Sequence, residues 1–173
     1  MKIFKKRGVA LILCVLIILG STLLNTRSKL GGLCEDLNES FYASKGIAGK
    51  LEALHVEADA LAGLAEANGI DAAALRSASA NLQGMLSQRS VNAGQLHRYY
   101  DALRSQLSVT AAQLSEKNVS GADTILSRAQ ELQNAITASE YNADVRSFRN
   151  RYGSFFTRFL ASLAGVSIPE EFA

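Results

Sequence analysis

Residues 47–65 read IAGKLEALHVEADALAGLA, and apolar side chains recur in this stretch at steps of four and three. The apolar positions are Ile47, Leu51, Leu54, Ala58, Leu61 and Ala65. An α-helix turns once in roughly 3.6 residues, so this spacing places all of them on one face. The stretch therefore predicts an amphipathic helix that buries one side.

Outward from this stretch, the same spacing recurs in four further segments, at residues 30–41, 75–85, 96–114 and 125–163. The only proline is Pro169, so the commonest helix breaker is missing from the preceding chain. Turn signals separate the segments: Gly46, Asn68-Gly69 with Asp71 as a cap, Asn92 as a cap, and Ser120 with Asp123 as a capping box. Short connections favour antiparallel neighbours, so the pattern predicts an all-α fold with an antiparallel up-and-down helical bundle.

The N-terminal part contains an apolar run, GVALILCVLIILGSTLL, over residues 8–24. As a helix it spans about 26 Å, close to the hydrocarbon thickness of about 30 Å. Signal peptides usually have apolar regions of about 7–15 residues, so an uncleaved transmembrane signal anchor is favoured over a cleaved signal peptide. The basic residues Lys2, Lys5, Lys6 and Arg7 precede it, which favours a cytoplasmic N-terminus and an exoplasmic bundle.

These patterns predict four regions. Residues 1–7 form a short basic segment, residues 8–24 the membrane span, residues 25–164 the helical bundle, and residues 165–173 a polar tail on the surface. The expected location is a membrane, here a bacterial cytoplasmic membrane, crossed once.

Charge and cysteine content exclude several classes of protein. The basic N-terminal segment holds four of the 18 Lys and Arg residues, which leaves 14 basic against 16 acidic residues in the rest of the chain. Such a body lacks the basic surface that nucleic acid requires. Cys14 lies in the apolar run, so Cys34 is the one thiol outside it, and no intramolecular disulfide is predicted.

No pattern indicates catalytic, cofactor-binding or metal-ligating residues. Glu52 and His55 have the spacing found in di-metal helical bundles, but such sites need a second pair, and Gly94 stands three residues before His97. The favoured interpretation of His55 is a solvated histidine or one at the edge of the core, and the chain is not predicted to be an enzyme.

Residues 141–161 read YNADVRSFRNRYGSFFTRFLA. This stretch resembles the C-terminal signature of the LemA family, in which tyrosine, asparagine, valine, aromatic residues and alanine recur at fixed spacing. The matching positions are Tyr141, Asn142, Val145, Phe148, Phe155 and Ala161. Arg149 stands where the family has a second asparagine, and Phe156 stands where it has proline.

The resemblance implies a membrane-anchored helical bundle without known catalytic residues, which acts in the cell envelope through protein contacts. Without the proline, the last helix is expected to continue unkinked through Phe156. As one helix, residues 141–161 would bury Tyr141, Val145, Phe148, Tyr152, Phe155 and Phe159 on a single face. Asn142 would then bond a neighbouring helix.

Four arginines, Arg146, Arg149, Arg151 and Arg158, fall mostly off that face and are candidate contacts for anionic lipid or an acidic partner. The favoured function is a non-catalytic interaction or scaffold module with unidentified envelope proteins as partners and with residues 8–24 in the lipid bilayer. Two alternatives are a ligand-binding sensor ectodomain that works with a partner subunit and a spanin-like envelope-bridging protein.

Overall fold

A computed structural model describes residues 2–89 and 92–173, with side chains in the first helix described from residue 10 onward. The described residues form helices and no strand, which confirms the all-α prediction. The helices are α1 (Lys2–Tyr42), α2 (Ile47–Ala67), α3 (Ala73–Ser87), α4 (Ala93–Glu116), α5 (Ala122–Thr137), α6 (Tyr141–Tyr152) and α7 (Phe155–Leu163). The side chains of Lys2, Lys5, Lys6 and Arg7, which carry the topology prediction, lie outside the described part.

Helix α1 is 41 residues long and includes the whole apolar run. By length and composition it is suited to cross a membrane, and the apolar window that qualifies it is not buried inside the structure. Its large side chains between Leu11 and Leu24 are mostly exposed. The apolar run of α1 is therefore an exposed apolar surface in this structure.

The chain divides into two compact units. Unit 1 comprises Met1–Asn38 and Ser147–Pro169, and unit 2 comprises Glu39–Arg146 and Glu170–Ala173. The predicted bundle of residues 25–164 is therefore shared between the two units, and so is the predicted tail.

The core of unit 2 is organised around α2, which packs against α3, α4 and α5. All six positions of the predicted α2 stripe are buried. The alanines among them, Ala58 and Ala65, let neighbouring helices approach closely, while Leu51, Leu54 and Leu61 fill the space between the helices. Each fully buried leucine contributes about 1.5–3 kcal/mol through the hydrophobic effect.

Gly69 and Asn92 have the predicted roles at their turns, whereas Asp71 bonds the first turn of α3 from one position before the N-cap residue, Ala72. Gly69 adopts a left-handed conformation after α2, with φ at 69°. Asp71 accepts a hydrogen bond from the amide of Ala73, and Asn92 accepts one from the amide of Gly94. The capping box at Ser120 is wrong, because Gly121 is the N-cap of α5 and makes no side-chain cap bond.

The core of unit 1 joins the later part of α1 to the C-terminal helices. Leu30 and Cys34 of α1 pack with Phe148 of α6 and Ala161 of α7. Val166 lies against this cluster as well, 3.9 Å from the position that a Cβ atom on Gly31 would take. Beyond its apolar run, α1 is therefore covered on the side that carries Leu30 and Cys34.

The prediction of one helix through residues 141–161 is wrong. Helix α6 ends at Tyr152 and α7 begins at Phe155, so the helix is interrupted at Gly153-Ser154. The Ser154 hydroxyl accepts a hydrogen bond from the amide of Thr157 and caps α7. Serine is more favourable at the N-cap of a helix than in its interior. The helix is therefore interrupted even though Phe156 replaces the proline of the family signature.

Candidate interaction sites

Helix α6 presents three of the family-like positions to the two cores. Tyr141 and Val145 are buried in unit 2, and Phe148 is buried in unit 1. Their steps of four and three place them on one face, as the sequence predicts. Beyond Tyr152 this face ends with the helix.

Asn142 is held by backbone rather than by a neighbouring helix. Its Nδ2 donates a hydrogen bond of 2.8 Å to the carbonyl oxygen of Phe172, and its Oδ1 accepts one of 2.7 Å from the amide of the same residue. Both polar atoms of one side chain are thus paired with one residue of the terminal segment, by which we mean residues 170–173. The expected partner of Asn142 was wrong, because that segment lies beside α6.

Phe172 is the apolar anchor of the terminal segment, and only 5% of its surface is exposed. Its ring centroid lies 4.9 Å from that of His97, 5.6 Å from that of Tyr100 and 6.0 Å from that of Phe41. The His97 and Phe172 rings meet edge to face, a favoured arrangement for aromatic pairs. We call the rings around Phe172, contributed by α1 and α4, the aromatic pocket.

Burial also affects the tyrosine of this pocket. It raises the pKa of the Tyr100 hydroxyl, because the charged phenolate loses its hydration there. Tyr100 therefore remains a neutral, largely apolar wall at physiological pH.

The two glutamates before Phe172 both lie in electropositive surroundings: Glu171 beside an arginine and Glu170 beside the N-terminus of a helix. Glu171 Oε2 lies 3.5 Å from Nε of Arg146. The carboxylate of Glu170 lies beside Gly94 in the first turn of α4, where helix dipoles favour negative charge. The Tyr141 hydroxyl donates a 3.0 Å hydrogen bond to the carbonyl oxygen of Glu170.

The four candidate arginines do not form one surface. Arg146 faces Glu171, as described, while Nε of Arg149 donates a 3.2 Å hydrogen bond to the carbonyl oxygen of Pro169. Arg151 and Arg158 are exposed on unit 1. Two of the four therefore have partners within the chain, and Arg151 and Arg158 remain the candidates for lipid or an acidic partner.

Helix α7 has an exposed apolar face, which contradicts the predicted burial of Phe155 and Phe159. Phe155 is 87% exposed, and Phe156, Phe159 and Leu163 are exposed as well. Leu160 and Ala161 point inward instead. We refer to the four exposed side chains as the α7 apolar face.

A polar network inside unit 2 links α2 to α3. The hydroxyl of the fully buried Ser79 donates to Asp59 Oδ1 at 2.9 Å and lies 2.5 Å from Nδ1 of His55. Because its proton is directed to Asp59, the hydroxyl is placed to accept a hydrogen bond from His55. The three residue types of a hydrolase triad are present, but this geometry makes them a structural link.

His55 is half-buried at the edge of the core of unit 2, which is one of the two environments predicted for it. In the part of the chain that the structure describes, no group of three or more His, Cys, Asp or Glu side chains is placed to hold a metal ion.

Sequence reasoning missed the role of Phe172. The tail was expected on the surface because it is short and carries two glutamates, and this expectation is wrong at Phe172. A single large aromatic in an otherwise polar segment was the available signal, since such a side chain is costly to leave in water. Where it docks depends on residues far away in the sequence.

Comparisons with protein-family models, with curated proteins and with solved structures gave no match to this chain.

Proposed function

We propose that this protein is a membrane-anchored, non-catalytic interaction or scaffold module of the cell envelope. In this proposal residues 8–24 cross a bacterial cytoplasmic membrane once, with the N-terminus cytoplasmic. Helices α2 to α5 form an antiparallel up-and-down bundle on the exoplasmic side. The LemA-like positions in α6 belong to the same proposal, as the resemblance implies.

The observation that carries the proposal is the α7 apolar face. A helix with Phe155, Phe156 and Phe159 exposed side by side presents the aromatic surface that is enriched in protein interfaces. No such surface is expected on a protein that acts alone in water.

The position of α7 favours a protein partner over lipid. Its packing contact with α1 is at Leu30 and Cys34, six to ten residues beyond Leu24, which corresponds to about 9–15 Å along a helix. The polar interface of a bilayer is only about 5–7 Å deep on each side. The contact therefore lies past the lipid headgroups if the span ends at Leu24.

Site-specific photo-crosslinking in native membranes tests this proposal. With benzoylphenylalanine at position 155, we expect a discrete protein adduct that disappears when Phe159→Glu alters the same face. Position 105, an exposed serine on α4 in unit 2, is the control and should give no such adduct. Adducts with lipid alone, or the same adduct from both positions, would contradict the proposal.

The anchor is tested separately. The protein should stay in the pellet after carbonate extraction and retain its N-terminus. N-terminal sequencing of the mature protein that starts near Ser21 would show that the apolar run is removed and would exclude the anchor.

A further inference from the structure

The terminal segment is bound to unit 2 in the manner of a short peptide. It belongs to no helix, and no regular element connects it to the end of α7. It contacts the rest of unit 2 through its backbone, through the Phe172 side chain and through its two carboxylates. These are the three means by which proteins recognise linear motifs.

The backbone of the segment is recognised by Asn142. The side-chain amide of Asn142 donates one hydrogen bond to Phe172 and accepts one from it, the exchange that two directly opposite residues make in an antiparallel sheet. Tyr141 adds a third backbone bond two residues earlier, at the carbonyl of Glu170. These bonds are made to backbone atoms, so they do not depend on the side chains that the segment carries.

The site also selects particular side chains in the segment that it binds. The aromatic pocket takes a phenylalanine and buries it almost completely. Arg146 beside Glu171 favours an acidic residue immediately before that phenylalanine. The first turn of α4 beside Glu170 favours a second acidic residue one position earlier.

We propose that this surface of unit 2 is a recognition site for a partner's peptide with the pattern acidic-acidic-phenylalanine, and that the chain's own terminal segment occupies it. The proposal rests on the proposed interaction role and names the chemistry of one partner. The site is closed in this state, and a partner opens it by competing with residues 170–173.

Competition explains why the site must be emptied before it is measured. A segment tethered by a short linker has an effective concentration on the order of millimolar. A free peptide binds the wild-type protein weakly for that reason alone. A variant whose own segment has lost its anchor removes the competitor and leaves the pocket intact.

The experiment uses the purified full chain in detergent micelles and a fluorescein-labelled peptide, Ser-Ile-Pro-Glu-Glu-Phe-Ala, copied from residues 167–173. Fluorescence anisotropy should show saturable binding to Phe172→Ala, at least about tenfold tighter than to the wild type. The same peptide with alanine in place of phenylalanine should not bind. Equal affinity for the two peptides, or for the two proteins, would overturn the proposal.

Two further changes in the Phe172→Ala background test the named contacts. Asn142→Ala should weaken binding about tenfold, because it removes two backbone bonds. Arg146→Glu should weaken binding of this peptide and restore it for a peptide that has lysine in place of the glutamate before phenylalanine. A charge-reversed pair that binds no better than the mismatched pairs would remove Arg146 from the site.

A second measurement does not need the Phe172→Ala variant to fold. In the wild-type sequence with 4-fluorophenylalanine at position 172, the fluorine resonance should move to the position of the free segment when unlabelled peptide is added in excess. A resonance that stays in place at millimolar peptide would overturn the proposal. So would a wild-type dimer that Phe172→Ala abolishes while the free peptide has no effect, because the site would then belong to a second copy of the chain.

The outcome is separable from that of the proposed function. The peptide assay contains no envelope membrane and does not involve the α7 apolar face. Failure of the photo-crosslinking with success here would leave a peptide-binding protein with a different partner surface.

Discussion

At the scale of single residues, Phe148 and Phe155 carry the same side chain in opposite environments. Phe148 is 7% exposed and packs with Leu30 and Cys34, while Phe155 begins α7 and faces outward. The seven-residue separation would put both on one face of a continuous helix. The break at Gly153-Ser154 turns the second away.

We expect Phe148→Ala to lower the free energy of unfolding by about 3–5 kcal/mol, the usual cost of deleting a buried aromatic side chain. Phe155→Ala is its matched control and should change it by less than about 0.5 kcal/mol. Denaturant unfolding followed by circular dichroism in micelles measures both. Equal losses for the two variants would mean that α7 is buried in solution.

Ser79 is a second residue whose environment decides its effect. It is fully buried, and its hydroxyl is the bridge between Asp59 and His55. Ser79→Ala leaves these two polar groups without that bridge, which should cost about 1–3 kcal/mol.

Ser77 lies two residues earlier on the same helix and is exposed, so Ser77→Ala serves as the control for helix propensity. Thermal unfolding of the two variants should separate clearly. A Ser79→Ala protein as stable as Ser77→Ala would show that the bridge contributes nothing to stability.

At the scale of elements, the connection between α1 and α2 is unusually tight. A Cβ atom on Gly49 would collide with the carbonyl oxygen of Ser44, and one on Gly46 would collide with that of Ser40. Glycine is required here by close approach of the backbone, not by its freedom to adopt positive φ.

Gly49→Ala should therefore destabilise unit 2 by about 1–3 kcal/mol, as overpacking does. In an ordinary helix the same change stabilises by about 0.5–1 kcal/mol. Gly84 in α3 has open space around the same position, so Gly84→Ala is the matched case and should raise the melting temperature. If both variants melt higher than the wild type, the turn is looser than the structure describes.

Much of the element structure could be predicted from sequence, because it depends on local periodicity. The α2 stripe is the clearest example, since every predicted position is buried. The α6–α7 break could not be predicted from periodicity, because the apolar steps continue through it. Only the local chemistry of Gly153 and Ser154 marks it.

The terminal segment lay further beyond prediction. Phe172 docks against Phe41 and Tyr100, which are distant in sequence, and no repeat or spacing connects the three. Asn142 was predicted to form a hydrogen bond, but its partner depends on that docking. The candidate site is therefore formed by tertiary contacts that local sequence patterns do not predict.

At the scale of the whole molecule, the proposed membrane orientation can be tested by labelling a thiol outside the apolar run, and the structure decides which thiol is suitable. Cys34 is 8% exposed, and burial raises the pKa of its thiol, so little reactive thiolate forms at neutral pH. Cys34 is consequently a poor reporter of topology, although it lies beyond the apolar run.

We expect an impermeant maleimide to label a Ser105→Cys variant in intact cells and to leave Cys34 unlabelled until the protein is unfolded. Both measurements belong in a Cys14→Ala background, which removes the thiol of the apolar run. The rate at Cys34 should rise as pH increases, because the raised pKa shifts thiolate formation to higher pH. Labelling of position 105 only after the inner membrane is permeabilised would reverse the orientation.

The central position of α2 has a consequence for how the stability of unit 2 can be measured in the proposed membrane-anchored state. One face of α2 packs against α3, α4 and α5, and Leu51, Leu54 and Leu61 on that face are fully buried. We expect the backbone amides on that face to exchange with solvent deuterium only when unit 2 opens as a whole. Their isotope exchange therefore reports the full unfolding free energy of that unit under native conditions. A bilayer interferes with a denaturant titration, but the exchange rates of these amides can still be measured in its presence.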